Sequence, residues 1–139
     1  MVRLASTSPE QTVEIGRRLG AVLRAGAVVS LEGPLGAGKT TLVRGLAAAL
    51  GIDEPVTSPT FTLVSSYEGP RKLHHVDLYR LDSTAEIADL GIEELCGGDA
   101  VTVVEWGEKA RTLLPADAVT VRLEIDGAGR RVTVEGAEL

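Results

Sequence analysis

One octapeptide limits what this chain can fold into more than any other stretch of it: Gly33-Pro-Leu-Gly-Ala-Gly-Lys-Thr40. It fits G-x-x-x-x-G-K-[ST] at every fixed position. An apolar run at 27–31 precedes it and reads as a buried strand. A run of good helix formers at 41–50 follows, with Gly51 placed to end the helix. Strand, glycine loop and helix in that order make an anion site at a helix N-terminus. Glycines let successive N–H groups turn inward with no Cβ in the way. The helix adds unpaired donors and the positive end of its dipole. Lys39 brings a full charge for the β- and γ-phosphates of a nucleotide, and Thr40 a hydroxyl for Mg²⁺. The candidate nucleotide-binding set is Gly33, Leu35, Gly36, Ala37, Gly38, Lys39, Thr40 and Thr41.

The remaining sequence reads as alternating helices and strands. Ser8-Pro9-Glu10-Gln11 opens a helix: Ser8 is the N-cap, Pro9 suits the first turn, and Gln11 completes a capping box. That helix stops near Gly26. Residues 61–67 and 72–78, joined by a turn at 68–71, predict a β-hairpin. Ser83 or Thr84 caps a short helix that Gly91 interrupts, with one further turn at 92–95. Residues 100–104 are nearly all apolar, as in a central parallel strand buried on both faces. A helix is expected at 108–114. Strict alternation at 119–125 and the return at 131–135 predict a second hairpin, at a sheet edge. The fold expected is a single α/β P-loop NTPase domain over residues 1–139. Its sheet is mixed and mainly parallel, with β-hairpins, and helices cover both faces.

Turnover of a nucleotide needs an acid near the metal, at the carboxyl end of a strand beside the loop strand. Asp77 and Glu105 both end apolar runs. Glu105 has the stronger position, because its strand reads as parallel and central. The Thr57-Ser-Pro-Thr60 segment carries hydroxyls that ligate metal, touch the γ-phosphate or orient water, which makes Thr60 a catalytic candidate, or that only close a turn. Trp106 follows Glu105 directly; it either covers the nucleotide, meets a partner or packs in the core. His74 and His75 are adjacent, so their rings leave a strand on opposite faces and do not share a metal. Arg71, Lys72 and Arg80 are the loose cations nearest the first hairpin.

Composition narrows the class. The formal net charge is −6, which argues against stable nucleic-acid binding by this surface alone, since phosphate contacts need clustered cations. A single cysteine, Cys96, permits no internal disulfide and suits a reducing compartment. No eighteen-residue apolar stretch is present, so neither membrane span nor membrane partner is expected, and a cytoplasmic protein is.

Taken together, the glycine loop through Thr41, Thr57-Ser-Pro-Thr-Phe-Thr-Leu-Val64, His75-Val-Asp-Leu-Tyr-Arg-Leu81, Leu90-Gly-Ile92 and Val104-Glu-Trp106 closely resemble the bacterial TsaE family. The resemblance covers nearly the whole chain. It implies an ATPase, with ATP and Mg²⁺ as its ligands, needed to form N6-threonylcarbamoyladenosine at position 37 of tRNAs reading codons that begin with A. It implies TsaB and TsaD as partners, with tRNA reached through them, and hydrolysis that resets the complex between turnovers. Residue by residue, it implies Lys39 and Thr40 at the phosphates and metal, Glu105 completing the metal site with Thr40, and Asp77 in hydrolysis. Thr60 falls in a switch-like segment, Trp106 beside the metal-site acid, and Arg130 or Arg131 near the nucleoside. Two positions depart from the family pattern: Pro34 stands where an aspartate is usual, and Gly107 where a proline is common.

Other classes share the loop. A small-molecule kinase also needs an acceptor pocket and an arginine-bearing lid, and no arginine-rich lid stands out. A GTPase needs an Asn-Lys-x-Asp reader, and the chain has no asparagine. A nucleotide-gated binding module without physiological turnover is the remaining alternative.

Overall fold

The computed structural model describes residues 1–59 and 62–139. Its centre is one seven-stranded sheet, built from β1 (Val2–Ser6), β2 (Val28–Glu32), β3 (Val64–Tyr67), β4 (Leu73–Asp77), β5 (Val101–Glu105), β6 (Val119–Asp126) and β7 (Gly129–Glu135). The order across it is β1-β7-β6-β2-β5-β4-β3. β6, β2, β5 and β4 run parallel, and antiparallel strands flank them on both sides. β2 and β5 are buried at every position, as expected for strands covered on both faces.

Helices α1 (Pro9–Val22) and α2 (Lys39–Ala49) cover one face; α3 (Thr84–Asp89), α4 (Ile92–Cys96) and a 3₁₀ segment (Gly107–Leu113) cover the other. The α1 start follows the sequence signal, with Ser8 Oγ accepting from Gln11 N. The return bond of the capping box is shifted by one residue: Gln11 Oε1 accepts from Thr7 N at 2.7 Å. Ser83 caps α3 in the same way, accepting from Glu86 N. Gly91 interrupts the chain between α3 and α4 with a left-handed backbone.

The two helices on the first face touch backbone to backbone. A Cβ on Gly45 of α2 would lie 1.8 Å from Val13 O, and one on Gly16 of α1 would lie 2.0 Å from Leu42 O. Glycine at both positions is what allows this approach. It fixes the axis of α2, and so the direction in which its N-terminus points.

Three expectations need correction. The last hairpin is not at the edge: β6 lies inside the sheet beside β2, and β1 pairs outside β7 in the register Val2↔Val134 to Ser6↔Arg130. β1 gave no separate signal, because five residues starting at the first position show too little alternation without the strand they pair with. The helix expected at 108–114 is a 3₁₀ segment that starts and ends one residue earlier, at Gly107–Leu113, and is broken at Ala110 (φ −114°, ψ 17°). The strand of the first hairpin starts at Val64, after Leu63 takes a left-handed φ of 66°.

Candidate active site

The parallel register gathers the chemistry at one edge. The loop after β2, Asp77 at the end of β4 and Glu105 at the end of β5 all emerge there, with Asp77 directly opposite Glu105. This is the carboxyl edge, where open α/β sheets bind ligands. Gly36 and Gly38 take φ of 80° and 101°, a left-handed backbone that glycine adopts without a Cβ clash. A cleft of about 390 Å³ opens here, lined among others by Lys39, Thr40, Asp77, Tyr79, Glu105 and Trp106.

Lys39 is only 5% exposed. Its Nζ donates to Gly33 O at 2.6 Å and Pro34 O at 2.9 Å, and sits 4.3 Å from the centroid of the Trp106 ring. Burial lowers its pKa from the ordinary lysine value, while Glu105, Glu108 and Asp77 pull it back up. Thr40 Oγ1 donates to Glu105 Oε2 at 3.0 Å, so a hydroxyl and a carboxylate stand side by side at the first turn of α2. Asp77 is held from two sides: Ser58 Oγ donates to Oδ2 at 3.1 Å and Tyr79 N to Oδ1 at 2.9 Å. Trp106 takes a left-handed backbone (φ 61°) between β5 and the 3₁₀ segment, and its ring meets that of Tyr79 at 5.2 Å. Lys109 Nζ fastens the loop that carries Tyr79, donating to Tyr79 O at 3.0 Å and Leu81 O at 2.9 Å.

Arg130 lies against the outside of the glycine loop. Its guanidinium donates to Ala37 O and Gly36 O, both at 3.2 Å. It also lines a second cleft of about 240 Å³, which meets the first at Gly36, Gly38 and Thr41 and carries the hydroxyls of Ser6, Thr7 and Thr12. Arg131 instead pairs with Asp126 at 3.2 Å and lines neither of these clefts. Arg71 is turned the other way, donating to Gly20 O and Leu23 O at the end of α1, and Lys72 pairs with Glu68. Thr60 lies outside the described residues.

The two departures have structural settings. Pro34 O accepts from Ala37 N at 3.2 Å as well as from Lys39, so the proline serves through its carbonyl. A Cβ on Gly107 would lie 2.0 Å from Ser30 Oγ; glycine there lets the 3₁₀ segment lie against β2. Cys96 is half-buried, and burial followed by Glu93 raises its thiol pKa, which disfavours a reactive thiolate.

Sequence reasoning missed two groups. His75 is fully buried, with Nε2 at 2.5 Å from Glu105 Oε2. The signal was present, since His75 and Asp77 are two apart and share a face of β4. His74, on the opposite face, meets Ser66 Oγ at 2.8 Å. Glu32, which ends β2, is buried and takes Arg122 at 3.2 Å and Arg111 at 3.5 Å; that cluster joins β6 and the 3₁₀ segment to the base of the loop and is legible only in three dimensions.

The residues present fit Mg²⁺. Thr40 and Glu105 offer hard oxygen donors beside a phosphate cradle, and no group of three or more His, Cys, Asp or Glu side chains among the described residues forms a metal cage. Mg²⁺ is typically held in that way, by one or two protein oxygens together with phosphate oxygens and water. No helix among the described residues is long and apolar enough to cross a membrane.

Comparison with known proteins gives one answer. The family model for threonylcarbamoyl adenosine biosynthesis protein TsaE matches residues 6–132. The tRNA threonylcarbamoyladenosine biosynthesis protein TsaE of Treponema pallidum is 45% identical over 130 residues, covering 94% of this chain and 96% of that protein. Its namesake in Streptomyces coelicolor is 47% identical over 135 residues, covering 88% of each chain. The crystal structure of Bacillus subtilis YdiB superposes with a TM-score of 0.82 at 32% identity, covering 96% of this chain and 83% of that one.

Proposed function

This chain belongs to the TsaE family and acts in tRNA threonylcarbamoyladenosine biosynthesis; from that premise we propose that it binds and hydrolyses ATP, with Mg²⁺, as a subunit working alongside TsaB and TsaD. The observation that carries the reading is the pairing of Thr40 Oγ1 with Glu105 Oε2 at 3.0 Å, next to a buried lysine at the N-terminus of α2. A purely phosphate-binding loop has no need of that carboxylate.

In this reading the loop amides and Lys39 bind the β- and γ-phosphates. Thr40 and Glu105 are the residues that would hold Mg²⁺, which when bound neutralises charge on the phosphate oxygens. Asp77, fixed by Ser58 and Tyr79 N–H, orients a water in line with the γ-phosphorus. The water oxygen bonds to phosphorus as the bond to the bridging oxygen breaks, and the proton that the water loses passes by way of Asp77 to solvent, releasing ADP and phosphate. The second cleft, with Arg130 at its rim, takes the nucleoside. Among the described residues that line the phosphate-side cleft, Lys39 is the only cation. Turnover without partners is accordingly slow, because transition-state charge has little else to meet it. Hydrolysis resets the complex between rounds of modification, and tRNA contacts come through the partners, in keeping with the net charge of −6.

The test is ATP hydrolysis and tRNA modification in a mixture reconstituted with TsaB, TsaD, tRNA and preformed threonylcarbamoyl adenylate as the donor, so that ATP serves this chain alone. Asp77→Asn is expected to keep nucleotide affinity within about threefold while hydrolysis falls about 100-fold, the usual scale for a positioned proton-handling group. Glu105→Ala is expected to lose the Mg²⁺ dependence of binding and to abolish hydrolysis. Full hydrolysis in Glu105→Ala would remove its metal role; modification that proceeds at the same rate without ATP would remove the energetic role of the chain.

A further inference from the structure

We propose that His75 is a positioning residue for the metal-site carboxylate: its Nε2–H, reaching up from inside the core, holds Glu105 Oε2 in place beside Thr40. The proposal rests on the ATPase reading above and extends it to a residue that touches neither nucleotide nor metal.

The geometry comes from the parallel pairing of β4 and β5. Val103 lies opposite His75 and Glu105 opposite Asp77. His75 is therefore one pleat below the tip of the sheet, on the face that α2 covers, and its ring extends diagonally upward to Glu105. A carboxylate only accepts, so the nitrogen facing it carries the proton. The contact is short, 2.5 Å, and both groups are almost wholly out of solvent. Glu105 Oε2 thus receives two donors, Thr40 Oγ1 from α2 and His75 Nε2 from β4. With both in place the carboxylate has little freedom to rotate away from the first turn of α2.

The ring is an expensive choice for a mere space-filler. His75 Nδ1 is buried with no hydrogen-bond partner among the described residues, and an unsatisfied buried polar atom costs about 1–3 kcal/mol. Leucine or methionine would fill similar space at this point of the core without that penalty. What they lack is a donor aimed at Glu105. Outer-shell donors of this kind orient metal ligands, and their loss typically weakens metal affinity or activity about 10- to 100-fold.

Calorimetry tests this on the full chain, measuring ADP affinity with and without Mg²⁺. His75→Leu is expected to leave the Mg²⁺-free affinity within about threefold and to cut the gain on adding Mg²⁺ about 10- to 100-fold. His75→Gln, whose amide donates from nearly the position of Nε2, is expected to restore most of that gain. An undiminished Mg²⁺ gain in His75→Leu overturns the proposal. Should wild type itself show no such gain, the ATPase reading has failed and the positioning role fails with it. A third measurement needs neither ligand nor variant, and decides the matter if His75→Leu does not fold. Nitrogen-15 NMR of the nucleotide-free wild type is expected to show His75 protonated at Nε2, with a slowly exchanging proton. A ring bearing its proton only on Nδ1 overturns the proposal.

Discussion

Replacing Lys39 with methionine is expected to weaken ATP binding by about 30- to 5,000-fold, the range that corresponds to the loss of about 2–5 kcal/mol when one member of a buried, hydrogen-bonded charge pair is truncated. Methionine keeps an apolar stem beside the Trp106 ring, so the change isolates the ammonium. The nucleotide-free protein should behave in the opposite sense. Lys39 is a desolvated cation whose hydrogen-bond partners are two neutral carbonyls, Gly33 O and Pro34 O, and its burial outweighs the pull of Glu105, Glu108 and Asp77 on the charge. Removing a charge held in this way relieves a desolvation penalty, so the melting temperature is expected to stay within about 2 °C of wild type or to rise. Calorimetry with ATP and a thermal melt together check both halves. Affinity retained within about threefold would show that the loop amides alone hold the polyphosphate.

Gly45→Ala is expected to destabilise the fold by at least about 3 kcal/mol, since overpacking a well-filled contact usually costs 1–3 kcal/mol and here the obstruction is backbone. Two effects compete at this site. Alanine is the better helix former by about 1 kcal/mol, which would raise stability if the position were open. Against that, the new Cβ would lie 1.8 Å from Val13 O and 2.7 Å from Val13 C, atoms that cannot turn aside as a side chain can. The steric term wins by the larger margin. A melting temperature lowered by about 10 °C is the expected reading for a chain of this length, and an increase would mean that α1 and α2 do not approach through their glycines. Because α2 carries Lys39 and Thr40, the same variant should bind nucleotide more weakly, with no cleft-lining residue changed.

The parts of this molecule written in local signals were legible in advance. The glycine loop, its strand and its helix are contiguous, so their pattern and their structure coincide. Ser8 and Ser83 cap helices because a hydroxyl at that position meets an orphan N–H within three residues. The hairpin of β3 and β4 is likewise a matter of neighbours. What stayed hidden depends on strands far apart in the chain. β1 becomes a strand through β7, more than a hundred positions away. The place of β6 inside the sheet is decided by its pairing with β2, and an alternating segment gives no hint of which strand will accept it. Asp77 and Glu105 were each recognisable as strand-end acids, but their alignment needed the β4–β5 register. His75 was the costliest omission: the same alternation that separates it from His74 joins it to Asp77 on one face of β4.

Trp106 is the only tryptophan of the chain, and its ring lies 4.3 Å from the ammonium of Lys39. Ultraviolet emission from the indole therefore originates entirely at one end of the cleft. A polyanion settling on the ammonium changes the electric field across that fluorophore, so intrinsic emission becomes a label-free gauge of occupancy. Loosening at the far edge strand, where no indole resides, leaves the signal silent.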